Sequence, residues 1–119
     1  MISIRGAITT ENTKEDIIES TKILLTEIIQ VNGIETEDII SIMFTATQDL
    51  TKAAPAAAAR EMGILNAALM CLSEMKVEDS LRKCIRVQLN AEVKDISQNQ
   101  AKHIYLRKAR SLRPDLEPV

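Results

Sequence analysis

From Cys84 to Val93 the chain places an apolar residue at every second position: Ile85, Val87, Leu89, Ala91 and Val93 alternate with Cys84, Arg86, Gln88, Asn90 and Glu92. Successive side chains leave a β-strand on opposite sides, so this period of two predicts a strand with one buried face. Arg86 then stands on the other, more polar face beside Cys84 and Gln88. A lone strand is not stable in water, so the rest of the chain must build a sheet around this one.

Four further stretches qualify. Ile2 and Ile4 alternate with Ser3 and Arg5, Gly6 interrupts and Ala7-Ile8 resume, which predicts a short strand with Arg5 opposite Ile4. Ile39 to Thr45 is β-branched, aromatic and nearly continuously apolar, which predicts a strand covered on both faces, with a polar exit through Thr45-Ala46-Thr47-Gln48-Asp49. Ala67 to Leu72 reads as a third, buried strand, and His103 to Leu106 as a last short one. Between them, Thr13 is a helix cap with Glu15 and Asp16 in the first turn, where carboxylates meet unpaired amides. Ile17, Thr21, Leu24 and Ile28 recur at helical spacing, and Asn32-Gly33 is the stop. Pro55 opens a second helix over Ala56 to Met62, closed by Gly63. The expected class is α+β: a mixed β-sheet with helices packed against one side, whose other face needs cover from a partner subunit.

With 119 residues the chain fits one domain, 1–119, with a flexible, basic C-terminal tail expected from about residue 110. Phe44 and Tyr105 are the only aromatic residues, so the core must be aliphatic. Fifteen Lys plus Arg against seventeen Asp plus Glu give a formal charge of -2, which argues against attraction to a nucleic-acid backbone, and no RNP, KH or zinc-finger pattern is present. The N-terminal residues carry no apolar signal segment, and no run of about eighteen apolar residues predicts a membrane span, so a cytoplasmic protein is expected. Cys71 and Cys84 read as two reduced, largely buried thiols.

Dinucleotide, P-loop, hydrolase-elbow and zinc-protease signatures are all missing. His103, the sole histidine, reads as structural or surface-exposed. What remains is a set of polar groups on or beside predicted elements: Arg5, Arg60, Glu74 and Arg86. An arginine held in a cleft offers a planar fork for a carboxylate, and two or three converging forks select a dianion. Taken singly, each of these residues is an ordinary solvated or paired group, and spacing alone does not show convergence.

Taken together, the segments resemble a known family. Arg5-Gly6-Ala7 with Thr9-Thr10-Glu11, then Thr45 to Leu50, Pro55, Arg60-Glu61, Cys71 to Met75, Leu81 to Val87, His103 to Leu106 and Leu112 to Leu116 follow, in order, the pattern of the AroH-type, Bacillus-like chorismate mutases. The resemblance implies conversion of chorismate to prephenate, an intramolecular Claisen rearrangement at the branch toward phenylalanine and tyrosine. It implies a homotrimer, a trimeric pseudo-α/β-barrel with active sites at the subunit interfaces, and no metal or organic cofactor. By resemblance Arg86 donates to the ether oxygen and a neighbouring carboxylate of the substrate. Arg5 is the second carboxylate-binding cation and Tyr105 offers its phenol to a carboxylate. Glu74 accepts from the ring hydroxyl as a positioning and electrostatic group, with Cys71 at the same end. Arg60 is expected at the mouth of the pocket, and Leu112 and Arg113 close it.

Three positions depart from the family pattern. Ala54 stands where relatives place a phenylalanine, Ala57 where they place a lysine and Met70 where they place a threonine, which removes apolar cover and positive field from the pocket. Lys52 is a candidate for restoring part of that charge. The alternative readings are a non-catalytic or altered-substrate trimeric binder of a small carboxylated metabolite, and a plain oligomeric module whose arginines form interface ion pairs.

Overall fold

The computed structural model describes residues 1–116. Strand β1 (Ile2–Thr9) leads into helix α1 (Lys14–Val31), followed by β2 (Ile39–Ala46), α2 (Ala56–Glu61), β3 (Ala68–Ser73), β4 (Cys84–Ala91) and β5 (Ile104–Leu106). A 3₁₀ segment, Arg107–Leu112, leaves β5. The strands form one sheet in the order β3-β2-β4-β1-β5. β4 is antiparallel to both β1 and β2, while β3 and β5 add in parallel to β2 and β1 at the two edges. The alternating segment is thus the central strand, with ladder partners on both sides.

Helix α1 starts and stops where its sequence directs. Thr13 accepts a 3.0 Å hydrogen bond from the Asp16 N–H, satisfying one of the free amides of the first turn. Ile17, Thr21, Leu24, Leu25 and Ile28 form its buried stripe. This stripe lies on the sheet face built from Ile2, Ile4, Ile8, Ile42, Phe44, Ile85, Val87 and Leu89, all buried. Each large aliphatic side chain so covered contributes roughly 1.5–3 kcal/mol. Gly6 does not break β1; it lets the layers close. A Cβ there would sit 2.9 Å from both the Ile104 carbonyl oxygen and Ile28 Cδ1. Helix α2, in which Ala56, Ala58 and Ala59 are buried, packs beside α1, and a Lys22–Glu61 ion pair of 2.9 Å joins the two helices. Gly63, at φ 83°, closes α2 in the left-handed conformation that glycine adopts without strain.

Several expectations are corrected. The chain forms no pseudo-α/β-barrel: its sheet is open, with β3 and β5 at opposite ends and unpaired to each other. Closure requires the two outer strands to pair along their length, and β5, only three residues long, offers little edge for that. β3 is not buried either. It pairs with β2 alone, and Met70 and Leu72 are 58% and 44% exposed. Nor is β2 covered twice, since Ile40 and Met43 face outward. Of the two thiols Cys84 is buried and Cys71 exposed, and both are free. Of the tail expected from about residue 110, residues 110–116 continue the 3₁₀ segment and a turn, and the remainder lies outside the described residues. Among the described residues no helix is long and apolar enough to cross a membrane.

Candidate active site

One sheet face carries the helices; the other carries the polar residues. The ladder register sets Tyr105, Ala7, Arg86, Thr45 and Leu72 in one row across all five strands. Paired residues on neighbouring strands share a face at a strand spacing of about 4.8 Å, so the row is contiguous. The next row reads Arg5, Gln88, Met43, Met70, and the one beyond it Ser3, Asn90, Ser41, Ala68. In that last row Ser3 donates to Asn90, whose amide donates to the Ser41 hydroxyl at 2.9 Å.

Glu74 follows β3 directly. Its N–H donates to the Ala46 carbonyl at 2.9 Å, which holds the backbone in line with the strand and directs the side chain to this open face. There its Oε1 accepts a 2.7 Å hydrogen bond from the Thr45 hydroxyl and lies 3.2 Å from Arg86 Nε. That second contact is an ion pair out of line with the N–H, for Arg86 Nε is buried and has no aligned acceptor. Both side chains are mostly enclosed, at 28% exposure for Arg86 and 19% for Glu74.

The turn into β4 holds Arg86 in place. Lys83 takes a left-handed conformation at φ 49°, which costs a non-glycine residue roughly 1–2 kcal/mol. It is held by its N–H donating to the Asp49 carboxylate at 3.1 and 3.2 Å, while the Cys84 N–H donates to Thr47 Oγ1 at 3.0 Å. The polar exit of β2 is therefore the anchor of the central strand. Behind Arg86, Cys84 is buried with Ala7 and Ala109, against Leu81, Tyr105 and Leu112. Burial pushes the Cys84 thiol up to about 11, with the Arg86 cation pulling the other way.

The 3₁₀ segment folds over this corner. Arg107, at φ 56°, donates from Nη1 to the Thr9 carbonyl at 2.9 Å and to Ser20 Oγ at 2.8 Å, fastening the segment that carries Leu112 and Arg113. Arg113 stands 6.0 Å over the Tyr105 ring and is gripped by Asp115 at 3.0 and 3.1 Å. The Arg5 N–H donates to His103 Nδ1 at 2.9 Å. Burial lowers the His103 pKa, and the cations Arg113 and Arg5 lower it further. Two clefts of about 890 and 880 Å³ flank residues 79–82; Glu74 lines the first, and Arg86 and Leu112 line the second.

Arg5, Arg86, Glu74, Tyr105, Leu112 and Arg113 therefore gather at one open face of a single chain. Two residues do not join them. Cys71 is paired with buried Phe44, hence on the helix-bearing face of the sheet edge, and Arg60 lies in the last turn of α2. In the sequence Thr45 stands only as the first residue of the polar exit and of the Thr45 to Leu50 segment, and His103 reads as structural or surface-exposed; the alternation of faces along a strand is the signal that sets Thr45 on the same face as Met43. Among the described residues no group of His, Cys, Asp and Glu is gathered to hold a metal ion.

Residues 1–116 match the family described as chorismate mutase type I. The chain belongs to that family. It is 44% identical over 115 residues to chorismate mutase AroH of Bacillus subtilis, covering 95% of this chain and 90% of that one. With chorismate mutase AroH of Thermus thermophilus it shares 45% over 116 residues, covering 96% and 94%. A solved chorismate mutase from Clostridium thermocellum superposes with a TM-score of 0.89 at 47% identity, over 92% of this chain and 97% of that one. The α+β sheet-and-helix arrangement is thus that of a type I chorismate mutase, and the open face with Arg86 and Glu74 is where its polar side chains converge.

Proposed function

We infer that the chain rearranges chorismate to prephenate on the open face of its sheet, with Arg86 as the principal electrostatic group. Membership of the family carries the activity. The observation that supports the residue assignment is the convergence of Arg86, Glu74, Arg5 and Tyr105 on adjacent rows of one face.

In this rearrangement one C–O bond breaks and one C–C bond forms within a single molecule. Neither a nucleophile nor a proton transfer is needed, which accounts for a site without a catalytic histidine or reactive cysteine. The protein lowers the barrier by holding the compact reactive conformer and by stabilising charge that develops in the transition state. Breaking the C–O bond builds negative charge on the ether oxygen, and the Arg86 guanidinium donates to it. Arg5 has no carboxylate of a described residue within ion-pair distance, which suits it to a substrate carboxylate. Tyr105 donates to a carboxylate, Glu74 accepts from the ring hydroxyl, and Leu112 and Arg113 close the corner.

The site is completed by assembly. Cys71 and Arg60 lie away from Arg86 within one chain, and the exposed apolar residues Met43, Met70 and Leu72 occupy the same face. A homotrimer with its sites between subunits places a neighbour on this face. A cytoplasmic location fits a chain whose described helices include none able to cross a membrane.

The test follows the loss of chorismate absorbance and the appearance of prephenate. Arg86→Ala is expected to lower kcat by a factor on the order of a thousand while leaving assembly intact. Arg86→Lys should recover little, because it restores the charge without the directed fork. Unchanged turnover in either variant removes Arg86 from its role.

A further inference from the structure

We propose that Thr45 is a positioning residue of the rearrangement: its hydroxyl holds Glu74 so that the carboxylate cannot close a two-point fork on Arg86, leaving the guanidinium donors to the substrate. This rests on the assignment of Arg86 and Glu74 made above.

Three side chains form the device. Thr45 and Arg86 are direct ladder partners on neighbouring strands, and Glu74 reaches between them from the end of the third. A carboxylate left alone with a guanidinium settles into two parallel hydrogen bonds, one from each nitrogen. That arrangement is absent here. Glu74 Oε1 accepts the hydrogen bond that the Thr45 hydroxyl donates at 2.7 Å, its nearer contact, and meets Arg86 at 3.2 Å without lying along the Nε–H. Arg86 donates to no oxygen of a described residue, and no second carboxylate of a described residue comes within ion-pair distance of it. Its charge is therefore balanced by Glu74 while its Nε–H stays uncommitted.

Thr45 suits the task for reasons its residue type supplies. A β-branched side chain in a strand has few χ1 rotamers, so the hydroxyl is aimed by the backbone. The backbone on both sides is tied: Thr45 lies within the β2–β4 ladder, and the Glu74 N–H is bonded to the Ala46 carbonyl at 2.9 Å. Glu74 Oε2 remains available to accept from a substrate hydroxyl, and its direction is set by the oxygen that Thr45 holds.

Steady-state kinetics on the assembled enzyme test this. Thr45→Val keeps the shape and removes the hydroxyl; we expect kcat to fall roughly tenfold or more, as losing a hydrogen bond to a charged group does, with a smaller change in KM. Thr45→Ser should stay within about twofold of the parent, because it restores the hydroxyl that donates to Glu74. Thr45→Ala carries the same test with less bulk should valine disturb assembly. Combining Thr45→Val with Glu74→Ala decides whether the effect runs through Glu74, in which case the double variant is no slower than Glu74→Ala alone. Equal losses in both backgrounds, or a Thr45→Val enzyme as fast as the parent while Glu74→Ala is slow, overturn the positioning role and leave the site assignment standing. A Glu74→Ala enzyme as fast as the parent overturns the site assignment itself, and this proposal with it.

Discussion

His103 shows how one proton can bear on the site's architecture. Because its Nδ1 accepts the Arg5 N–H, the neutral ring carries its hydrogen on Nε2. Protonation would remove the acceptor from Arg5 and add a positive charge between Arg5 on β1 and Arg113 on the C-terminal segment, with Asp115 engaged by Arg113. Tyr105 stands two residues on, in β5, and from the C-cap of α1 the neutral Asn32 donates to the Lys102 carbonyl. The folded pKa is lowered from 6.5, so the unfolded chain takes up the proton first as pH falls. The associated stability is present above about pH 6.5 and is lost as pH falls through the folded value. Chemical denaturation at about pH 7 and about pH 5 should show this loss. His103→Asn, whose Oδ1 accepts where Nδ1 did without titrating, should lose less between the two. An identical loss in parent and variant assigns the pH dependence to other groups. Cys84 makes the complementary case: a buried thiol with its pKa pushed up to about 11 is protonated at neutral pH. A Cys71→Ser variant, retaining Cys84 alone, should therefore stay unmodified by a thiol reagent until it is unfolded, and rapid native-state labelling would contradict the burial described.

The elements differ in how openly the sequence declares them. Helix α1 was legible because stripe, cap and stop are all local signals, and the central strand because its period of two runs unbroken from Cys84 to Val93. The exposure of β3 was not, since an apolar run is the same whether a strand ends up central or at an edge; neighbours decide it. The convergence of Arg86 with Glu74 was hidden for a related reason. It depends on the ladder placing Thr45 opposite Arg86 and on β3 ending one residue before Glu74, and neither register is written in residue spacing. Gly6 is the most misleading residue at this scale. Its lack of a side chain reads as an interruption, whereas it admits α1 and β5 to the same patch of β1. Gly6→Ala should destabilise the fold by about 1–3 kcal/mol through overpacking, visible as a lower denaturation midpoint. It should also lower turnover, because the Ile104 carbonyl that the new methyl strikes belongs to the strand carrying Tyr105. A variant as stable as the parent would mean that β5 can move aside freely.

At the scale of the whole molecule, the open sheet leaves a question of cover that one chain does not answer. Its helix-bearing face is closed over an aliphatic core, yet the other face shows Met43, Met70 and Leu72 to solvent at 39%, 58% and 44% exposure, in the rows that hold Arg5 and Arg86. The parallel edge strand β3 also presents unpaired backbone groups beside those side chains. Apolar surface and an unpaired edge adjoining a charged site are what a subunit contact buries, and a site lined from both sides also excludes water, which strengthens each interaction Arg86 makes. Met70→Asp places a charge in that surface without touching the helix-bearing core. On the homotrimer inferred above, sedimentation should then show the mass fall to that of single chains, while far-UV dichroism stays that of the parent because the core against α1 is untouched. Turnover should fall by at least tenfold in the same preparation and return in part at high protein concentration, as mass action drives the chains together. Full activity in a protein that sediments as a single chain would show that the site is complete within one subunit, and would leave the exposed methionines without a catalytic consequence.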